Sequence, residues 1–210
     1  GIATQSYAAS VKPPLGDALR ACGLQETLVS ATYQYDPTVD VSSDLSATII
    51  AHQDGKDWRL TGCRGNVNHI FFAGAPVVAE FTYRGILTTV AETARSAPTG
   101  LPTVVPPRWI GSGTIYVESL QSLVENLNFA TGNTIFEHRA SLATSGSGIA
   151  AVIITDRQPG GSFDPEAVVV SSFDFFAAWR ATSGAILRMQ VGGTQGNRFT
   201  LIGSQTVLKK

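Results

Sequence analysis

Residues 45–61 read Leu45-Ser-Ala-Thr-Ile-Ile-Ala-His52-Gln-Asp54-Gly55-Lys-Asp57-Trp-Arg-Leu-Thr61. Two strand-like runs, Leu45–His52 and Asp57–Thr61, flank Asp54-Gly55. A two-residue hairpin turn needs positive φ at both central residues, and Asp-Gly supplies it at little steric cost. The stretch therefore predicts a β-hairpin and sets a β-rich reading for its surroundings.

Upstream, Leu28–Tyr35 alternates as one strand, and Asp36-Pro37 breaks it because proline cannot donate to a ladder. Before it, Leu15–Gly23 predicts a short helix with Leu15, Leu19 and Cys22 on one face and Gly23 as the stop. Downstream, Gly62-Cys-Arg-Gly65-Asn66 is read as a turn. Val67–Phe72 and Val77–Tyr83 follow as a hairpin-like pair across residues 73–76. In the second of these, Val77, Ala79, Phe81 and Tyr83 form the core-facing set, and Val78, Glu80, Thr82 and Arg84 the outer one.

Residues 91–107 are rich in proline and have no period, which marks a functional excursion or a crossover between units. Strands resume at Arg108–Val117, Leu123–Phe129, Thr134–Arg139 and Ile149–Thr155, with Ser/Gly turns at 144–148. Pro159-Gly-Gly-Ser162 is read as leading to Val168–Val170. A helix is predicted at about 172–182, capped by Ser171 or Ser172, with Phe175, Phe176 and Trp179 as its apolar face and Gly184 as its stop. Ala185–Val191 and Arg198–Ile202 are the last strands.

The two halves echo one another. Asp36-Pro37, Val41-Ser-Ser43, Gly55 and Gly62-x-x-Gly65-Asn66 recur as Asp164-Pro165, Val170-Ser-Ser172, Gly184 and Gly193-x-x-Gly196-Asn197. The offsets run from 128 to 131 residues, and Tyr35 matches Phe163. Such marks recur by chance in β proteins, so chance and duplication both stand as explanations.

The chain has 210 residues, 43% of them hydrophobic, enough for one large β domain or two small fused ones. Only 15% are charged, against a usual level of roughly 25%. That deficit fits either a β-rich domain or a surface covered by neighbours in an assembly. The net charge of −1, with Lys209-Lys210 the one basic pair, argues against gripping nucleic acid through phosphates. Two cysteines, Cys22 and Cys63, are too few for a disulfide framework and fit a reducing cytoplasm. No apolar run is long enough to span a membrane, and Gly1–Ser6 does not read as a signal peptide.

Candidate chemistry is sparse. His52, His69 and His138 stand apart, and neither HExxH nor Cys-x-x-Cys occurs. Asp36, Asp40 and Asp44 recur every fourth residue but lack the glycine and closing glutamate of a calcium loop. Asp156-Arg157 is read as a structural ion pair or interface contact, and Ser145–Gly148 as a turn. No nucleophile, base and orienter come together, so no catalytic, cofactor-binding or metal residue is assigned, and an enzyme is not expected.

Several stretches resemble the tail tube proteins of long-tailed bacteriophages. In the first half they are Arg20-Ala-Cys-Gly23, Tyr33-x-Tyr-x-Pro37, Ser46–Ile50, Asp54-Gly55, Leu60–Asn66, Ala73-Gly74-x-Pro76 and Glu80–Gly85. In the second half they are Ile154–Arg157, Gly161–Pro165, Asp174–Arg180 and Gly193–Asn197. The resemblance implies a β-sandwich or barrel of tail-tube type with one packed helix near 172–182 and a short N-terminal helix. It implies homo-oligomeric rings, sixfold or threefold if the units are duplicated, stacked into a hollow conduit for DNA ejection. The implied partners are other copies and other tail proteins, with DNA only as passing cargo and no membrane. The implied place is the virion, after synthesis in the host cytoplasm. Another tail ring or baseplate component is the nearest alternative. A carbohydrate-binding β-sandwich using Trp58, Trp109 or Trp179 is the other. The expected layout is an arm at 1–14, a first β unit at 15–90, the connection 91–107, and a second β unit at 108–210, forming one compact domain. The arm and the connection are expected to reach a neighbouring copy, and deletion of 95–106 to abolish polymerisation.

Overall fold

The computed structural model describes residues 12–30, 32–40, 44–92, 106–110, 114–141, 148–181, 184–193 and 197–207. Most of the arm, residues 93–105 of the connection, the turn residues 144–147 and residues 194–196 of the Gly193–Asn197 motif therefore lie outside the described residues. The fold is mainly β. Thirteen strands and two helices occur among the described residues. They fall into two compact units, each drawn from three segments. Unit 1 holds Gly1–His69, Ala79–Val104 and Phe129–Gly160; unit 2 holds Ile70–Val78, Val105–Asn128 and Gly161–Lys210. These segments interleave along the chain, whereas the division read from the sequence was sequential.

Unit 1 begins with α1 (Gly16–Arg20), which buries Gly16 and Leu19. A Cβ at Gly16 would lie 2.6 Å from the Tyr35 hydroxyl, so glycine lets this helix approach the sheet closely. Gly23 ends the turn at φ +72, as its position predicted. β1 (Leu24–Val29) and β2 (Thr32–Pro37) then pair antiparallel, with Val29 opposite Thr32. The single strand expected over Leu28–Tyr35 is therefore a hairpin. Ser30 makes the turn at φ 44 without a Gly, Asn or Asp to announce it.

β3 (Ala47–Gln53) and β4 (Lys56–Phe72) form the predicted hairpin, with Asp54 at φ 49 and Gly55 at φ 71. β4 continues for 17 residues. The turn expected at Gly62–Asn66 does not form. Gly62, at φ 62, instead accommodates a bulge opposite the Ala47–Ile49 step of β3. Gly65 lets β4 come up against the Thr82 carbonyl of β5 (Val78–Glu92). Along β5, Ala79, Phe81 and Tyr83 pack on Leu19, Cys22, Leu24 and Val67, as the alternation predicted. β9 (Asn133–Arg139) and β10 (Ile149–Arg157) pair antiparallel as a two-stranded sheet.

Unit 2 contains a four-stranded sheet in the order β13 (Phe199–Thr206), β12 (Ala185–Val191), β6 (Thr114–Val117), β7 (Leu120–Ser122). Ile115, Val117, Leu187, Met189 and Val191 of this sheet pack with Phe71, Trp109 and Leu127 into its core. β6 is shorter than the strand expected from Arg108, which makes only an isolated bridge to Pro76. β8 (Val124–Ala130) and β11 (Gly160–Pro165) pair. Asp164 Oδ1 accepts from the Asn126 backbone N–H at 2.8 Å, and Asn128 and Ser162 exchange bonds at 3.0 Å. The Pro159–Ser162 stretch thus enters a strand, while Val168–Val170 form none.

α2 (Phe175–Ala181) also departs from expectation. It is capped by Asp174, whose Oδ1 accepts from the Ala177 N–H at 2.8 Å, rather than by Ser171 or Ser172. It has no buried residue, so it is not the packed helix expected at 172–182. Two turns present little area, and Phe173, just before them, makes the contact with the core instead.

Candidate assembly surface

The best-built polar cluster is buried in unit 1. The Arg157 guanidinium donates to the Thr38 carbonyl and hydroxyl at 2.7 Å each, to Asp44 Oδ1 at 2.9 Å and to Asn133 Oδ1 at 3.2 Å. The Asp44 side chain is only 2% exposed and also contacts the Thr38 hydroxyl. Asn133 Nδ2 donates to the Cys22 and Gly65 carbonyls, both at 2.8 Å. Asn66 Nδ2 donates to the Asn133 carbonyl at 2.7 Å. Arg64 adds bonds to the Val152 and Asp44 carbonyls. These groups tie the loop after β2 to β4, β9 and β10. Burial and charge pairing make them a clasp, in which Asp44 Oδ2 and Arg64 Nε are buried without a hydrogen-bond partner among the described residues.

The structure places the other sequence candidates apart. Asp44 is in the clasp, Asp36 accepts from Gln34 Nε2 at 2.7 Å, and Asp40 is exposed. No group of three or more His, Cys, Asp and Glu side chains converges among the described residues. His52 contacts Asp57 across the β3–β4 hairpin. His69 is buried, and desolvation holds its imidazole down at about 4, with a backbone hydrogen bond at Phe129 working the other way. His138 lies exposed on β9. Arg157 pairs with Asp44 rather than with its neighbour Asp156. Cys22 and Cys63 are free and buried; burial pushes the Cys22 thiol up to about 11 and raises that of Cys63, so both stay protonated.

A shallow cleft of about 330 Å³ is lined by Asp17, Arg20, Leu45, Ser46, Ala47 and Thr48. Its two charged groups lie 3.6 Å apart and pair with each other. Trp109 is buried edge-on against Phe71, which removes it as an exposed carbohydrate platform. Trp58 and Trp179 are partly exposed, in unit 1 and unit 2 respectively. Among the described residues, no helix is long and apolar enough to cross a membrane.

Apolar side chains are exposed in both units. In unit 1 Phe136 and Ile153 face each other across β9 and β10, 52% and 38% exposed. Residues 50–53 of β3 and 87–92 of β5 are exposed without alternation, so neither face of the sheet is covered there. Ile50, Trp58, Leu87 and Val90 lie in this region. In unit 2, Ile186, Ile202 and Phe176 are exposed. Sequence periodicity marks such residues as strand or helix faces but does not tell a covered face from a bare one. No protein-family model, curated protein or solved structure matches the chain.

Proposed function

We propose that this chain is a structural, non-enzymatic subunit that self-assembles, and that its assembly is the tail tube of a long-tailed bacteriophage. The observation that carries self-assembly is apolar side chains exposed on strand faces in both units of a chain with 15% charged residues. Scattered exposed apolar residues are ordinary in monomers; a sheet end bare on both faces, with Ile50, Trp58, Leu87 and Val90 on it, is not. The tail-tube assignment rests on the resemblance of the motifs quoted above, and the β-rich fold agrees with it. Copies form stacked rings around a conduit, and other tail proteins meet the ends of the stack. A net charge of −1 suits a lumen that lets DNA slide. An internal duplication, with threefold rings, is supported by one detail: Asp36-Pro37 and Asp164-Pro165 each close a six-residue strand.

Negative-stain electron microscopy and sedimentation velocity on the purified protein test the reading. Rings of uniform diameter or hollow tubes are expected. A monomer that persists across concentration and salt overturns it.

A further inference from the structure

We infer that the clasp of unit 1 binds one internal water molecule, which bridges the Asp44 carboxylate and the Arg64 guanidinium and completes the lock on the loop after β2. Two side-chain atoms carry this. Asp44 Oδ2 and Arg64 Nε are both buried and meet no hydrogen-bond partner among the described residues. The Asp44 side chain is 2% exposed, and its other oxygen, Oδ1, takes the Arg157 guanidinium at 2.9 Å and the Thr38 hydroxyl. A buried polar atom left unmet carries its full desolvation cost, so folded proteins supply such atoms with a partner, commonly an ordered water. The two atoms also converge. Nε and Nη2 form one edge of the planar guanidinium, so their N–H bonds run side by side. Arg64 Nη2 donates to the Asp44 backbone carbonyl at 2.9 Å, and Nη1 donates to the Val152 carbonyl. The Nε–H therefore runs alongside the Asp44 carbonyl, towards the residue whose own Oδ2 is unmet.

The chemistry of the two groups selects the ligand. One is a donor on a cation, the other an acceptor on an anion. The Arg64 and Arg157 guanidiniums repel a metal or ammonium ion from Oδ2, and the Asp44 carboxylate repels an anion from Nε. A neutral molecule that both donates and accepts suits both atoms, and water does so in the smallest volume. It accepts from Nε, donates one proton to Oδ2 and donates the other to the Asp44 carbonyl, an oxygen with two lone pairs of which Arg64 Nη2 uses one. That makes about three bonds, the usual number for a buried water. The consequence is a closed loop base. At one end the Thr38 N–H donates to the Gly23 carbonyl at 3.1 Å, and the Thr38 carbonyl accepts from Arg157. At the other end Arg157 of β10 holds the Asp44 carboxylate directly, and the water joins it to Arg64 of β4. The site lies within unit 1 of one copy and does not depend on self-assembly.

Water-selective NOESY and ROESY spectra of the full, isotope-labelled chain test this at the Arg64 Hε signal, assigned by through-bond correlation to the Arg64 side-chain carbons. A cross-peak at the water frequency is expected, with an NOE of the same sign as the diagonal and an ROE of opposite sign, the signature of a bound water that outlives tumbling. No peak, or a peak with the sign of the diagonal in both spectra, which marks proton exchange alone, overturns the inference. A shift of the Hε signal that saturates across a chloride titration marks an anion in the site and overturns it too. Magnetic relaxation dispersion of water oxygen then counts the long-lived waters. Arg64→Lys keeps the charge and removes the Nε–H, and it is expected to lose the contribution of one water relative to the unsubstituted chain. Arg64→Met is the second variant, with the same expected loss. An unchanged dispersion amplitude in either folded variant overturns the bridge.

Discussion

Removing Arg157 should unfold unit 1 more readily than any single apolar truncation at its surface. Its side chain is 17% exposed and that of Asp44 is 2% exposed, so solvent screens the pair weakly. Arg157→Ala deletes the four hydrogen bonds to Thr38, Asp44 and Asn133 and leaves a buried carboxylate without its counter-charge. Breaking one side of such a pair costs about 3–5 kcal/mol. For a chain of this size that corresponds to a fall of about 6–20 °C in melting temperature, at about 2–4 °C per kcal/mol. Urea denaturation followed by circular dichroism, with hydrogen exchange to localise the loss to β9, β10 and the loop after β2, reads the effect. Replacing both partners by apolar residues, Asp44→Val with Arg157→Met, should cost less than Arg157→Ala alone, because no charge is then stranded. A loss below about 1 kcal/mol for Arg157→Ala, or strict additivity of the two substitutions, would show that the clasp is not what holds these segments together.

Three other outcomes are expected. His69 is buried neutral, with a folded pKa near 4 against about 6.5 unfolded. The unfolded chain therefore binds the proton first: stability is unaffected by this group above pH 6.5, falls as pH drops towards 4, and the accumulated loss below pH 4 is on the order of 3 kcal/mol. His69→Gln should flatten the fall of denaturation midpoint over this window, and an unchanged pH profile would contradict it. Gly132 sits at φ +62 with its Cβ position blocked by the Gln158 carbonyl, so Gly132→Ala should destabilise by more than about 1 kcal/mol in the same assay. Asp174→Ala should remove the cap of α2 at about 1 kcal/mol, seen as faster amide exchange at Ala177 and Ala178 with little change in the global midpoint.

Where one residue type has one local use, the sequence is legible. Asp54-Gly55 makes its turn because those residues tolerate positive φ, Gly23 ends its helix for the same reason, and Ala79, Phe81 and Tyr83 face a core because strand side chains alternate. The errors fall where a residue has several uses. Gly62 and Gly65 serve equally in a turn, at a bulge or at a close approach, and only the pairing of β4 with β3 and β5 selected the last two. Phe176 and Trp179 look like a core face at helical spacing, yet burial depends on what lies opposite, and Phe176 is left 67% and Trp179 38% exposed.

The candidate site divides in the same way. The sequence by itself determined a low-charge, β-rich chain with uncharged stretches at 47–53 and 85–91 and no local signature of catalysis, since composition and short-range spacing are properties of the chain alone. Only the tertiary structure decided that Arg157 meets Asp44 across 113 residues, and that the two uncharged stretches lie in strands that both pair with β4. The physical reason is that ion pairs and ladders are made between segments distant in sequence, and no local preference specifies which segments meet.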